Sequence, residues 1–286
     1  MNIKQLIKKG LKVIFAKRPV YTIANIATIA PNELLKGRTA LITGGTSGIG
    51  FAIAKLFLAS GASVCITGRN EDRLRKACAD LQNLSIEGKV FYSTLDNKDV
   101  SSFSIKMEEI IAQAGKIDIL VNNAGVLGAS LPNAQEEEYD AVLDTNLKGV
   151  FFLSQLIGKY MKKNNIHGNI LNIASSSSLR PATSAYIISK WGVRGLTLGL
   201  AKSLAPYGIV VNGVAPGPTA TPMLMNGDRA NITHDKIPAG RYAMPEEIAN
   251  MALFLVSDMG RMVLGDIVYM TGGAGLLTYD DMTYTF

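Results

Sequence analysis

Tyr186 and Lys190 stand four residues apart in the run Ser184-Ala185-Tyr186-Ile187-Ile188-Ser189-Lys190. On a helix that spacing sets the phenol and the ammonium on one side, one turn apart. A free tyrosine has a pKa of about 10 and keeps its proton at neutral pH. A fixed positive charge nearby favours the phenolate and lowers that pKa by ~1–3 units. Tyr186 is therefore expected to serve as a general acid or base near neutrality, with Lys190 lowering its pKa. Tyr-x-x-x-Lys also arises by chance on helices. What gives this pair weight is a glycine-rich run far upstream, Thr43-Gly44-Gly45-Thr46-Ser47-Gly48-Ile49-Gly50.

Those two motifs need a scaffold, and the hydrophobic pattern predicts one. Short apolar runs at 39–43, 63–67, 89–95, 117–121, 169–174, 209–214 and 267–270 read as strands. Helical patterns at 49–59, 69–84, 100–114, 136–163, 185–205 and 245–257 lie between and after them. Strand–helix alternation implies parallel strands joined by right-handed crossovers. The expected fold is α/β, a doubly wound parallel sheet of about seven strands flanked by helices. The segment 222–243 carries two glycines and Pro238, and reads as a loop or lid.

In that scaffold the glycine run joins the first strand to the first helix. Glycines there permit a tight turn and let backbone N–H groups approach a pyrophosphate at the helix N-terminus. Gly44, Thr46, Ser47, Gly48, Ile49 and Gly50 are thus expected to bind a dinucleotide. The end of the second strand selects between cofactors. A carboxylate there binds the adenosine ribose of NAD, whereas arginine accommodates the 2′-phosphate of NADP. This chain has Gly68-Arg69 with no carboxylate at either position, so NADP(H) is favoured and NAD(H) stays open.

Taken together, Thr43-Gly44-x-x-x-Gly48-x-Gly50, Asn122-Asn123-Ala124-Gly125, Asn146, Ser175, Tyr186-x-x-x-Lys190, Pro216-Gly217 with Thr221, and Thr271-Gly272-Gly273 resemble the short-chain dehydrogenase/reductases over roughly residues 37–275. The resemblance implies a single-domain Rossmann fold and hydride transfer between a secondary alcohol and a carbonyl. It also implies a nicotinamide cofactor and a homotetramer or homodimer. It carries Ser175 over as stabiliser of the substrate oxygen, and Asn146 as holder of a water that links Lys190 to solvent. Asp96 and Asn97 are expected at the adenine, Asn123 near its ribose, and Thr219 and Thr221 at the nicotinamide end, where Lys190 also meets the ribose. Three features depart from the family pattern. Asn97 replaces a small aliphatic residue. The glycine loop lacks the basic residue of many NADP-using relatives. The gap from Ser175 to Tyr186 is shorter than usual, which makes Ser177 the reserve serine. The substrate is either a 3-oxoacyl thioester or a sugar, polyol or steroid. Sugar-nucleotide epimerases share Tyr-x-x-x-Lys, but their Gly-x-x-Gly-x-x-Gly loop is missing here.

The chain has 286 residues and a net charge of +6. Residues 1–36 hold Lys4, Lys8, Lys9, Lys12, Lys17, Arg18 and Lys36 against Glu33, which accounts for the whole excess. The body, 37–286, is balanced, so the charge gives no argument for nucleic acid as a partner. Ile3, Leu6, Ile7, Leu11, Ile14 and Phe15 recur at helical spacing among the lysines. Two readings of residues 1–18 stay open: a helix packed on the body or on a neighbouring subunit, or a peripheral anchor on anionic lipid. Cys65 and Cys78 are too few for a disulfide framework and suit a cytoplasmic protein. His167 and His234 have no partner at metal-ligand spacing, so no metal is expected. The alternative function is a non-catalytic nucleotide-binding scaffold or sensor docked through the basic helix.

Overall fold

A computed structural model of the chain describes residues 33–84, 88–225 and 231–275. The helix expected over residues 1–18 lies outside the described residues. In chain order the elements are β1 (Thr39–Thr43), α1 (Gly48–Ala59), β2 (Ser63–Gly68), α2 (Glu71–Gln82), β3 (Val90–Thr94), α3 (Phe103–Ala114), β4 (Ile119–Asn122), α4 (Glu136–Leu143), α5 (Gly149–Lys163), β5 (Asn169–Ile173), α6 (Ala185–Leu204), β6 (Val210–Pro216), α7 (Pro222–Met225), α8 (Pro245–Val256) and β7 (Ile267–Met270). The seven strands form one sheet in the order β3-β2-β1-β4-β5-β6-β7. Every neighbouring pair is parallel.

The strands are short apolar runs because both of their faces are buried. Side chains alternate across the sheet. Ala40, Ile42, Val64 and Ile66 pack on one side with Ile53 and Phe57 of α1 and Ile248 and Leu255 of α8. Leu41, Cys65, Leu120, Ile170 and Val211 pack on the other, with Met107 of α3, Leu153 and Ile157 of α5 and Ala201 of α6. Each fully buried large aliphatic or aromatic side chain contributes about 1.5–3 kcal/mol relative to its exposed state. These two layers hold the sheet; its C-terminal edge is left for chemistry. Strand order reverses between β1 and β4, and in open parallel sheets ligands lodge in the crevice at such a point.

The expected element boundaries shift in ways that have local causes. The pattern at 69–84 predicts a helix from Arg69, but α2 starts at Glu71 because the Asn70 side chain accepts from Arg73 N at 2.8 Å and caps it. Residues 136–163 read as one helix. The chain instead widens into a π segment at Asp144–Lys148 between α4 and α5. Such widenings recur at functional sites, and Asn146 sits inside this one. The loop or lid expected at 222–243 begins as the short helix α7. Its return limb is pinned where Arg241 makes two 2.8 Å contacts to the Glu247 carboxylate at the start of α8. Those contacts, with a bond from Met244 N, hold the Glu247 carboxyl down at about 2. No helix among the described residues is long and apolar enough to cross a membrane.

Candidate active site

A cavity of about 490 Å³ runs along the C-terminal ends of the strands. At one end lie Gly44, Thr46, Ser47, Gly48 and Ile49 after β1, Arg69 after β2, and Asp96 and Asn97 after β3. At the other lie Ser175 after β5, Tyr186 and Lys190 on α6, and Thr219 and Thr221 after β6. Asn123, after β4, lines the middle. Of the residues expected to bind the cofactor or take part in catalysis, Gly50 and Asn146 do not line it, nor does the reserve serine Ser177.

The glycine loop fits a pyrophosphate. Gly44 and Gly48 have φ of 65° and 57°, in the left-handed region that side chains other than glycine avoid. Ser47 caps α1 without spending its side chain on the helix, and the first turn carries no acidic residue. The N-terminal N–H groups and the positive end of the helix dipole are thus free to receive phosphate oxygens. Beneath the loop, Asn123 Nδ2 donates to the carbonyls of Thr43 at 2.9 Å and Gly44 at 3.0 Å. Thr43 Oγ1 accepts from Asn123 N and Ala124 N, both at 3.0 Å. The side chain expected near the ribose is therefore also the brace of the phosphate loop. Gly50 supports it from below. A Cβ there would come within 2.4 Å of Asn123 Nδ2 and 2.5 Å of the Gly44 carbonyl.

At the β2–β3 end, Arg73 joins Arg69 along the cavity wall. It was not singled out in the sequence, although its four-residue spacing from Arg69 was a usable signal. Glu71 turns away from the cavity's arginines and holds Arg75 at 3.0 Å. The Asp96 carboxylate accepts from Lys98 N at 3.0 Å. Asn97 is buried, and its Nδ2 has no hydrogen-bond partner.

The catalytic end is built from α6 and β5. Ser184 caps α6 by accepting from Ile187 N at 3.3 Å, which sets the helix start just before Tyr186. One turn on, Lys190 is buried and its Nζ donates to the Ile173 carbonyl of β5 at 2.8 Å. Burial brings the Lys190 ammonium down to about 8. Lys190 Nζ lies 5.7 Å from the Tyr186 ring centroid. Here the sequence expectation is corrected. Tyr186 is not lowered: its burial raises the phenol, and a hydrogen bond with Ser175 offsets only part of that rise. The reason is that the Tyr186 hydroxyl has left water, and desolvation disfavours the charged phenolate.

Ser175, not Ser177, faces the cavity. Its Oγ accepts the backbone N–H of Ser177 at 3.1 Å, so its own proton is free to point at an oxygen. Asn146 spends its side chain on bonds within the protein. Oδ1 accepts from Val126 N at 2.8 Å, and Nδ2 donates to Val126 O at 2.9 Å and to Ser189 Oγ at 3.3 Å. Ser189 in turn donates to the Tyr186 carbonyl at 2.6 Å. Asn146 thus ties the loop after β4 to the helix turn that carries Tyr186.

A phosphate-fitting loop and a Ser–Tyr–Lys constellation in one crevice define a dinucleotide-dependent oxidoreductase. A family model described as short chain dehydrogenase matches residues 38–231. The chain belongs to the short-chain dehydrogenase/reductase family. It is similar to the 3alpha-hydroxysteroid dehydrogenase of Mediterraneibacter gnavus, 39% identical over 246 residues that cover 84% of this chain and 98% of the relative. It is also similar to a 3-oxoacyl-(acyl-carrier-protein) reductase of Thermotoga maritima, 39% identical over 244 residues, with the same coverage of 84% and 98%. Among solved structures, a short chain dehydrogenase from Burkholderia cenocepacia in complex with NADP superposes with a TM-score of 0.75. It is 32% identical, over 84% of this chain and 98% of that one.

Gly50→Ala tests the loop support. The methyl has no room without displacing Asn123 or the Gly44 carbonyl, and overpacking of this kind costs about 1–3 kcal/mol. Thermal unfolding should show the loss, and fluorescence titration should show weakened dinucleotide binding.

Proposed function

We propose that the chain interconverts a secondary alcohol and a ketone on an apolar substrate, with NADP(H) as its cofactor. The observation that carries this reading is the shared crevice: Ser175, Tyr186 and Lys190 line the same cavity as the glycine loop. When bound, the nicotinamide supplies or accepts the hydride at the substrate carbon. The chain's own residues handle the oxygen. Tyr186 holds its proton at neutral pH, the more so as burial raises its pKa, and it gives that proton to the carbonyl oxygen as negative charge develops there. Ser175 donates to the same oxygen, a role in which a preorganised donor is worth several kcal/mol. Lys190 keeps a positive charge beneath the phenol and stabilises it when deprotonated. In alcohol oxidation the phenolate takes the proton back.

The NADP preference is supported by Arg69 and Arg73 on the cavity wall and by the commitment of Glu71 to Arg75. An apolar substrate is supported by the opposite end, lined by Val126, Leu127, Met223 and Leu224. Among the described lining residues there, Lys190 alone is charged. Leu127, Met223 and Leu224 stay exposed, so they are available to cover a ligand. The two relatives named above point, by their names, to a hydroxysteroid and an oxoacyl thioester, both of which suit such a wall. Self-association is part of the same reading, because Ile188, Trp191 and Leu198 form an exposed apolar stripe on α6.

Three measurements test this function. Tyr186→Phe keeps the ring and removes the proton; NADPH binding should persist while kcat falls by ~10²–10⁴-fold. A variant that retains more than a tenth of the wild-type rate contradicts the assignment. Arg69→Ala combined with Arg73→Ala should weaken NADPH about tenfold or more, even after solvent screening of exposed charges, and leave NADH unchanged. Equal losses for both cofactors would make the arginines structural. The pH profile follows from Lys190. Its proton is present below about 8 and lost above, and the charged form is the one that stabilises the phenolate. Reductive kcat/KM should therefore fall as pH rises through about 8, and this limb should vanish in the residual activity of Lys190→Met.

A further inference from the structure

Ser175 is the first of four consecutive serines, and the fourth is placed unlike the others. Ser178 is fully buried. It sits in the 3₁₀ turn Ser176–Leu179 that Ser175 caps. Its backbone N–H donates to the Ser175 carbonyl at 3.0 Å, and its Oγ donates to the same carbonyl at 2.7 Å. On the far side of Ser178 Oγ, 3.2 Å away, is the hydroxyl of Tyr269 from β7. A serine hydroxyl has one hydrogen, and Ser178 gives its hydrogen to Ser175. The remaining bond therefore has a single direction, with Tyr269 as the donor. The result is a chain that runs from the Tyr269 O–H to Ser178 Oγ and from the Ser178 O–H to the Ser175 carbonyl. Hydrogen bonds in such a chain polarise and strengthen one another in a low-dielectric interior.

The consequence falls on the Ser175 side chain. Its peptide plane is held through the carbonyl by two donors from Ser178, while Ala174 N donates to Val214 O at 2.8 Å just before it. Its Oγ accepts from Ser177 N. With backbone and oxygen fixed, the Ser175 hydroxyl is held within hydrogen-bond reach of Tyr186. The Tyr269 ring itself packs with Ala174, Val193 and Ile267, so its hydroxyl is aimed by the core. We propose that Tyr269, acting through Ser178, is a positioning residue for Ser175. The inference rests on the reading of Ser175 as the donor to the substrate oxygen.

The test is a set of variants in the full chain, assayed with NADPH and either a 3-oxoacyl thioester or a 3-ketosteroid, whichever the wild type reduces. Tyr269→Phe removes one oxygen and keeps the ring; Ser178→Ala removes the other and keeps the N–H bond to Ser175. Each should lower kcat about five- to tenfold, since small misplacements of a reacting group are costly. KM and NADPH affinity should stay within roughly twofold. In a Ser175→Ala background neither substitution should cost anything further, because the group they position is gone. The same fold-loss in that background would mark a merely structural role and overturn the proposal. So would an undiminished kcat in Tyr269→Phe. If Ser178→Ala unfolds, Tyr269→Phe carries the test alone, with its melting temperature as the control. Full activity of Ser175→Ala by itself would instead sink the reading of Ser175, a distinct outcome.

Discussion

Lys190 carries its ammonium into the interior, where the Ile173 carbonyl of β5 receives it at 2.8 Å. An unpaired charge out of water is costly, and this burial brings the ammonium down to about 8. Much of the crevice exists to make the placement possible. β5 delivers both the carbonyl that takes the charge and, two residues on, the serine beside the phenol. α6 must lie at one depth and one rotation for Lys190 to reach Ile173 while Tyr186 reaches Ser175. A shift of a single residue on the helix would turn both groups by about 100° and separate them from their partners.

The depth of α6 is held by buried amides. Asn122 of β4 donates to Asn172 of β5 and to Ser154 of α5, each at 2.9 Å. Asn172 donates in turn to Thr197 of α6 at 2.9 Å. Asn146 adds the loop after β4 through Val126 and reaches α6 through Ser189. Polar groups so deep are expensive to leave unpaired, so these bonds favour a single arrangement of the layers, while Asn122 Oδ1 itself has no partner among the described residues. The same logic works at the other end, where Asn123 braces the phosphate loop and Gly50 leaves room for it. The two halves of the crevice are thus held by side-chain amides, of which Asn123 also lines the cavity.

Electrostatics divides the crevice in the same way. Cationic side chains gather at the β2–β3 end, where a phosphate-bearing group would sit. Beside the catalytic residues the wall carries Val126, Leu127, Met223 and Leu224. Burial raises the phenol and lowers the ammonium, which moves the two titrations apart and leaves the phenol the group that keeps its proton longer. An acid that keeps its proton until an oxygen asks for it suits carbonyl reduction.

The fold class, the seven parallel strands, the phosphate loop and the Tyr186–Lys190 pair were all legible in the amino-acid sequence. Their signals are local: apolar runs of strand length, helical periodicity, a glycine spacing and a four-residue interval are each set by neighbours along the chain. Tertiary structure decided what those signals could not carry. It joined Asn146 to Val126 and set Gly50 beneath the phosphate loop, contacts that a motif does not reveal. It added Arg73 to the wall beside Arg69 and chose Ser175 over Ser177. It also reversed the expected shift of Tyr186, because proximity along a helix does not reveal burial. Solvation depends on everything packed around a group, and distant segments such as β7, with Tyr269, reach the site only once the sheet has formed.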